Sequence, residues 1–251
     1  MGAFVQRLLL VCVFVAVRSS MVDVEELDFR KAFKIVENAA KQPGNIDYNT
    51  FCSKRGRGTF KFSCRMNKTP DIVLLVCLEP DICEYIIQRE LLTLSILAQE
   101  GLKVLRFYPK IITGLRCGAK ESKNVSCMGF LEEWMSPEKG KERSLRKVIL
   151  AEKTQDLVTW LMDYQKNRSA RFLTAWHLEK IRQFTDPKTG VYSRICDLQG
   201  YFMKDGGFTI ADPDDIIKNQ PLNYTCYSDE YPTTLMVIKS LKKIVDDLVS
   251  N

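Results

Sequence analysis

The sequence is poor in histidine, in closely spaced cysteine pairs and in long hydrophobic runs. His177 is the single histidine among 251 residues, and none of the nine cysteines forms a C-x-x-C pair. Because zinc sites draw on such pairs and on histidine, zinc ligation is the disfavoured alternative for the cysteines. His177 lies in a helical stretch beside Trp176 and is interpreted as structural. No apolar run reaches the roughly 20 residues of a membrane-spanning helix.

Nucleic-acid partners are also disfavoured. The formal net charge is +6, but no basic cluster alternates with aromatic side chains as a nucleic-acid groove requires. Apolar residues make up 45% of the chain and charged residues 27%, which is typical of a globular protein. The expected partner is therefore another protein, and no nucleic acid.

The first part of the chain resembles a targeting segment. Arg7 is followed by the apolar run Leu8–Val17 and by the small residues Ser19 and Ser20. This pattern predicts a signal peptide over residues 1–20, with an uncleaved anchor as the alternative. After cleavage no transmembrane span is expected, and the chain is predicted to be secreted or to reside in the lumen of the endoplasmic reticulum or Golgi.

Cysteine and asparagine patterns agree with a secretory route. Eight cysteines follow the signal segment, and an even number in an oxidising compartment predicts four disulfides. Eight cysteines allow 105 connectivities, so spacing alone leaves the pairing open. The hypothesised disulfides are Cys52–Cys64, Cys77–Cys83, Cys117–Cys127 and Cys196–Cys226. Proximity within predicted hairpins favours the first three of these pairs. Glycosylation sequons begin at Asn67, Asn124, Asn167 and Asn223, and Pro70 makes the first of them the weakest.

Hydrophobic periodicity predicts an α+β chain with a strand-rich first half and a helical second half. Helices are predicted over residues 25–40, 83–100, 155–184 with a break near 167–169, and 232–249. Strands are predicted within residues 58–66, 71–79, 104–118, 125–134 and, as a hairpin around a D-G-G turn, 195–216. The polar residues 136–147 are interpreted as a linker or a helix cap. The last helix is expected to bury Leu235, Leu241 and Leu248.

Three stretches then resemble a protein kinase. "IIQRELLTLSILAQEGLKVLRFYP" resembles the kinase αC helix and the strand after it, with Glu90 as the αC glutamate. "VSCMGFLEEWMSPEKGKERSLRKVI" resembles the fifth strand, the hinge and the step into the second lobe. "ICDLQGYFMKDGGFTIADPDDI" resembles the catalytic loop and the metal-binding hairpin. The resemblance makes Asp197 the candidate catalytic base, and Asp212 with Asp214 the candidate metal ligands.

The Cys-Asp pair at Asp197 is similar to that of the secretory-pathway divergent protein kinase domain family, related to protein O-mannose kinase. The resemblance implies a two-lobed kinase-like fold. It assigns residues 21–48 to an N-terminal helical segment, 49–135 to a small strand-rich N-lobe with one helix, and 136–251 to a reduced helical C-lobe. The Cys196–Cys226 bridge would tie the catalytic-type loop to the terminal segment.

Several kinase residues are replaced. Cys77, or Val76 with a one-residue slip, stands where the strand-three lysine belongs, although Lys61 or Lys68 could reach in from elsewhere. Phe202 takes the position of the catalytic-loop asparagine. Only Gly56 and Gly58 of "RGRGTF" offer a phosphate loop.

These losses predict a pseudokinase that acts as a binding or regulatory module. One alternative is an active, unorthodox secretory kinase that transfers phosphate from ATP, with Mg²⁺ or Mn²⁺, to a protein or glycan. The other is a disulfide-stapled secreted ligand without kinase ancestry. No cofactor is certain: ATP and its metal ion are expected only if the protein is active.

Overall fold

The computed structural model describes residues 28–42, 46–57, 60–116, 126–189, 193–213 and 215–250. Within them the chain is mixed α+β, as predicted. The helices are α1 (residues 28–40), α2 (Cys83–Gln99), α3 (Leu145–Leu150), α4 (Thr154–Tyr164), α5 (Arg168–Thr185) and α6 (Thr234–Ser250). The strands are β1 (Cys52–Arg57), β2 (Lys61–Met66), β3 (Ile72–Cys77), β4 (Ile112–Arg116), β5 (Ser126–Glu133), β6 (Gly140–Ser144), β7 (Ser193–Ile195), β8 (Gln199–Met203), β9 (Phe208–Ile210) and β10 (Ile216–Lys218).

The chain divides into two compact units. The first unit contains the described residues up to Glu84 together with Phe107–Trp134, and the second contains Tyr85–Arg106 and the described residues from Met135. Residues 85–106 therefore belong to the second unit, whereas the sequence had assigned them to the N-lobe. The physical reason is packing, because Leu97 and Leu102 lie in the hydrophobic core of the second unit.

The first unit is built on one antiparallel sheet. Its strand order is β1-β2-β3-β5-β4, so the apolar strand β3 lies at the centre. Leu74 and Val76 of β3 and Phe130 and Leu131 of β5 are fully buried, as a strand covered on both faces requires. Helix α1 adds Phe29, whose ring stacks on Tyr108 with 6.2 Å between centroids.

The second unit has a helical core with two small sheets. Helices α5 and α6 supply much of this core, which also includes Phe202 of β8 and Phe208 of β9. The sheets have the strand orders β6-β8-β9 and β10-β7. The β8–β9 hairpin confirms the predicted turn, since Gly206 and Gly207 both adopt positive φ there.

Two stretches differ from the prediction. Residues 136–147 contain strand β6, which pairs with β8, followed by α3 with Ser144 as its N-cap. This strand escapes detection because only Gly140 within it is buried, so no apolar alternation marks it. Of the described part of the predicted strand 104–118, which ends at residue 116, Ile112–Arg116 form a strand, and Pro109 interrupts the extended run.

The structure joins three of the four hypothesised cysteine pairs, namely Cys52–Cys64, Cys77–Cys83 and Cys196–Cys226. Cys127 is also a disulfide cysteine, and its hypothesised partner Cys117 lies outside the described residues. The signal segment 1–20, Gly58, Asn124 and Asp214 lie outside them as well. Among the described helices, none combines the length and apolar character needed to cross a bilayer.

Candidate functional site

Asp197 follows β7 and is held by two neighbours within the second unit. The side chain is buried, with a relative exposure of 8% for the residue. Arg146 places its Nε 3.5 Å from Asp197 Oδ1, and Gln199 donates from Nε2 to Asp197 Oδ2. A carboxylate in this setting is an ion-pair and hydrogen-bond acceptor. It can act as a base only at the expense of these contacts.

Arg146 owes its position to the first turn of α3. The Ser144 side chain caps this helix by accepting from the Lys147 N–H at 3.3 Å. The Arg146 guanidinium lies 4.5 Å from the centroid of the Tyr231 ring, so the ring and the Asp197 carboxylate both contact one cation. The sequence analysis missed Arg146, because nothing in its spacing along the chain connects it with Asp197.

The β8–β9 hairpin brings the second candidate aspartate, Asp212, near the segment that carries Asp197. The Gln199 carbonyl accepts from the Ala211 N–H at 3.0 Å, while the side chain of Gln199 contacts Asp197. Asp212 is exposed and adopts a φ of +46°, a left-handed conformation that few residues other than glycine take. The structure thus unites the stretches around the two aspartates but leaves Asp212 at the surface.

The next residues are held from the opposite strand. The Asp215 carbonyl accepts from the Cys196 N–H at 3.0 Å, and Asp215 Oδ2 accepts from the Tyr227 hydroxyl at 3.3 Å. Because Cys196 is bridged to Cys226, the segment before Asp197 is tied both to the strand after Asp212 and to the chain before α6. The sequence had suggested only the disulfide part of this arrangement.

In the first unit, Cys77, which the resemblance aligns with the kinase lysine, is fully buried and bridged to Cys83. Lys61 lies directly opposite Cys77 in the β2–β3 ladder, and Gly56 lies opposite Ser63 in the β1–β2 ladder. Residues directly opposite in antiparallel strands share a face of the sheet. Lys61, Ser63, Gly56 and Cys77 therefore lie on one face of the first unit's sheet.

Two further residues at positions of interest, Glu90 and Phe202, are both buried. Glu90 is 5% exposed, so it is a buried residue of α2. Phe202, at the position of the kinase asparagine, is fully buried in the core of the second unit. An aromatic side chain there packs against Phe208 and offers no oxygen to a metal ion.

These residues do not fit a kinase-type site for ATP and its metal ion. At the position that the resemblance assigns to the kinase lysine, Cys77 is part of a disulfide, and at the position that it assigns to the asparagine, Phe202 is a core residue. Among the described residues, no three Asp, Glu, His or Cys side chains converge as metal ligands. Asp212 remains the one described candidate ligand from the resemblance.

Three of the candidate glycosylation residues, Asn67, Asn167 and Asn223, are exposed. Asn167 also caps α5, with its Oδ1 accepting from the Ser169 N–H at 2.9 Å. This contact uses only the side-chain oxygen, so the amide nitrogen is left for a sugar.

Comparison of the chain with models of known protein families and with curated proteins finds no match.

Proposed function

We propose that this chain is a divergent kinase-like protein of the secretory pathway that lacks efficient phosphotransfer and acts as a binding or regulatory module. The order of elements supports the kinase-like part of the proposal. A hairpin, a third strand, one helix and two more strands precede a polar step, helices and a second hairpin. This is the order that the sequence resemblance implies.

The Cys77–Cys83 disulfide is the main observation that supports the proposed loss of phosphotransfer. Phosphoryl transfer depends on positioned charge around the phosphates, and the strand-three lysine is one of its main sources. Cys77 is fully buried and covalently bridged, so it can supply neither a cation nor a hydrogen-bond donor of comparable strength.

The second unit supports the same conclusion. A general base must reach the proton that it removes and must be free to accept it. Asp197 is buried and contacts both Arg146 and Gln199, so its carboxylate is already engaged in an ion pair and a hydrogen bond within the fold. We therefore interpret Asp197 as the anchor of its loop.

Exposed apolar side chains support a binding role. Phe172, Leu173 and Trp176 of α5 are 39%, 41% and 52% exposed, and they follow one another at helical spacing. Lys180 lies 4.2 Å from the Trp176 ring centroid and gives the patch a basic edge. Neighbouring exposed apolar residues with a charged rim are typical of protein-interaction surfaces. The expected partner is a protein of the secretory pathway or the extracellular space.

The active-kinase alternative is favoured by one observation, the position of Lys61. This lysine lies opposite Cys77 and on the same sheet face as Gly56. A lysine from the neighbouring strand could replace the cation that Cys77 cannot provide. In that case Asp197 would be the base and Asp212 the metal ligand.

A phosphotransfer assay separates the two functions. The purified protein is incubated with γ-labelled ATP, Mg²⁺ or Mn²⁺, and glycoproteins from a secretory-pathway extract, alongside Asp197→Asn and the control Asp205→Asn. Asp205 is an exposed turn aspartate outside the candidate site. We expect equal incorporation, within twofold, in all three proteins. Loss of a general base costs an active enzyme roughly 100-fold or more, so such a loss confined to Asp197→Asn would contradict the proposal.

If that loss occurs, Lys61→Met identifies the source of the missing cation. An equally inactive Lys61→Met would establish the active-kinase alternative. It would also show that the cross-strand lysine had taken over from the residue at Cys77.

A further inference from the structure

A small cavity in the second unit is lined by two arginines and by apolar side chains. Arg194 of β7 and Arg146 of α3 supply its charge, and apart from Thr185 and the bridged Cys196 the remaining wall is apolar. A largely apolar wall offers an arginine few hydrogen-bond acceptors. The hydrogen bonds that Arg194 makes, and those that it lacks, therefore indicate which ligand the cavity can bind.

Arg194 is 2% exposed and has a free hydrogen-bonding edge. Its Nη1 donates to the Tyr224 carbonyl and to Thr234 Oγ1, the latter at 3.3 Å. Its Nε and Nη2 are buried and find no hydrogen-bond acceptor in the part of the chain that the structure describes. Nε and Nη2 form one edge of the planar guanidinium, and this edge can donate two parallel hydrogen bonds to an anion.

Among the described residues, no carboxylate forms an ion pair with Arg194 or raises its pKa. Burial lowers the pKa of Arg194 to about 10, which still leaves the guanidinium protonated at neutral pH. A buried cation without a counter-charge is strongly unfavourable, and an anion at its free edge would remove that penalty.

The other charges around the cavity favour the same sign of ligand. Helix α6 begins at Thr234, the residue whose hydroxyl contacts Arg194, so the positive end of this 17-residue helix is adjacent. Arg146, by contrast, forms an ion pair with Asp197, with 3.5 Å between Nε and Oδ1. The net potential at the free edge of Arg194 is therefore positive.

We propose that this cavity binds a small inorganic anion of halide size, chelated by Nε and Nη2 of Arg194. The enclosed space admits one group of about the size of a water molecule. A monatomic anion such as chloride comes closest to that size and needs only a slight widening of the wall, whereas phosphate and sulfate are too large for it. The bound ion would stabilise the contact of β7 with the start of α6. This site is independent of the kinase-like proposal, since it uses neither Asp212 nor a nucleotide.

Halide binding is tested by thermal unfolding at constant ionic strength, with sodium gluconate replaced stepwise by sodium chloride, bromide or sulfate. At a halide concentration about five times its Kd, we expect the Tm to be about 2–4 °C higher and to keep rising with the logarithm of the halide concentration, and we expect sulfate to give no rise that depends on Arg194. Arg194→Met should abolish the halide response. Arg143→Met, an equivalent change at an exposed arginine that stacks on Trp160, should retain it.

A second measurement keeps the proposal testable if Arg194→Met does not fold. Crystals of the unaltered protein soaked in bromide should show an anomalous peak beside Nε and Nη2 of Arg194. The proposal is overturned if halides do not raise the Tm of the unaltered protein at constant ionic strength, if Arg194→Met folds and keeps the halide response, or if bromide does not occupy this cavity.

Discussion

Replacing Cys196 and Cys226 together by serine lowers the free energy of unfolding by about 3–4 kcal/mol, the loop-closure value for a bridge of this span. The two cysteines are 30 residues apart and both are buried. Without the bridge, the unfolded chain regains the freedom of that loop. The segment before Asp197 also loses its covalent tie to the chain before α6. Urea unfolding of the oxidised protein and the variant measures the difference.

The shorter bridges provide matched controls. The same substitution at Cys77 and Cys83, which are only 6 residues apart, should cost about 2 kcal/mol on the same entropic account. Cys52 and Cys64, 12 residues apart, should fall between, at about 3 kcal/mol. A Cys77/Cys83 variant less stable than the Cys196/Cys226 variant would contradict this ranking and would point to strain or packing as the dominant effect.

Acidification from pH 7 to pH 4 lowers the stability by about 3 kcal/mol through His177 alone, given 1.36 kcal/mol for each unit of pKa difference. The imidazole is buried, and its Nδ1 accepts from the Phe208 N–H at 3.0 Å. Burial, followed by the charges of Lys103 and Lys180, lowers the pKa of His177 from 6.5 to about 4. Both a low-dielectric site and an acceptor role for Nδ1 oppose protonation.

The sign of the effect follows from where each state takes up its proton. Below pH 6.5 the unfolded chain protonates His177 while the folded chain does not, so unfolding becomes easier until the folded pKa near 4 is reached. Above pH 6.5 both states are neutral and the contribution is constant. Because the chain has a single histidine, no other imidazole contributes in this range.

His177→Asn isolates this contribution. The asparagine oxygen can accept the Phe208 N–H in place of Nδ1 but does not titrate. Denaturant unfolding of both proteins at intervals between pH 4 and pH 7 should give curves that converge toward acid, with the unaltered protein losing about 3 kcal/mol more. Parallel curves would show that His177 is not held neutral by its surroundings.

Sequence periodicity located the elements well where they have an apolar face. The terminal helix was predicted over 232–249 and lies at Thr234–Ser250, and the break before α5 falls where Asn167 caps the helix. Periodicity placed Leu235 on the buried face, yet this residue is 39% exposed, because the true buried stripe runs through Val237, Leu241 and Ile244. Strand β6 could not be found, since its pairing with β8 leaves a polar surface.

The candidate site was only partly accessible to sequence reasoning. Local motifs pointed to Asp197 and Asp212, which lie in one continuous stretch. Arg146 reaches Asp197 from a helix some 50 residues earlier, and such a contact leaves no mark in local spacing. Arg194 was missed because a lone arginine within a three-residue strand forms no sequence pattern, and only its burial distinguishes it from a surface cation.

The central proposal is that this chain is kinase-like and has lost the nucleotide site that efficient phosphotransfer requires. A thermal-shift titration of the purified protein with ATP, alone and with magnesium or manganese gluconate, tests it most directly. A ligand at about 100 times its Kd adds about 2.7 kcal/mol of stability, so real binding raises the Tm by roughly 5–10 °C. The account predicts no shift with any combination. A metal-dependent shift that disappears in Asp212→Ala would contradict it and establish a working nucleotide site.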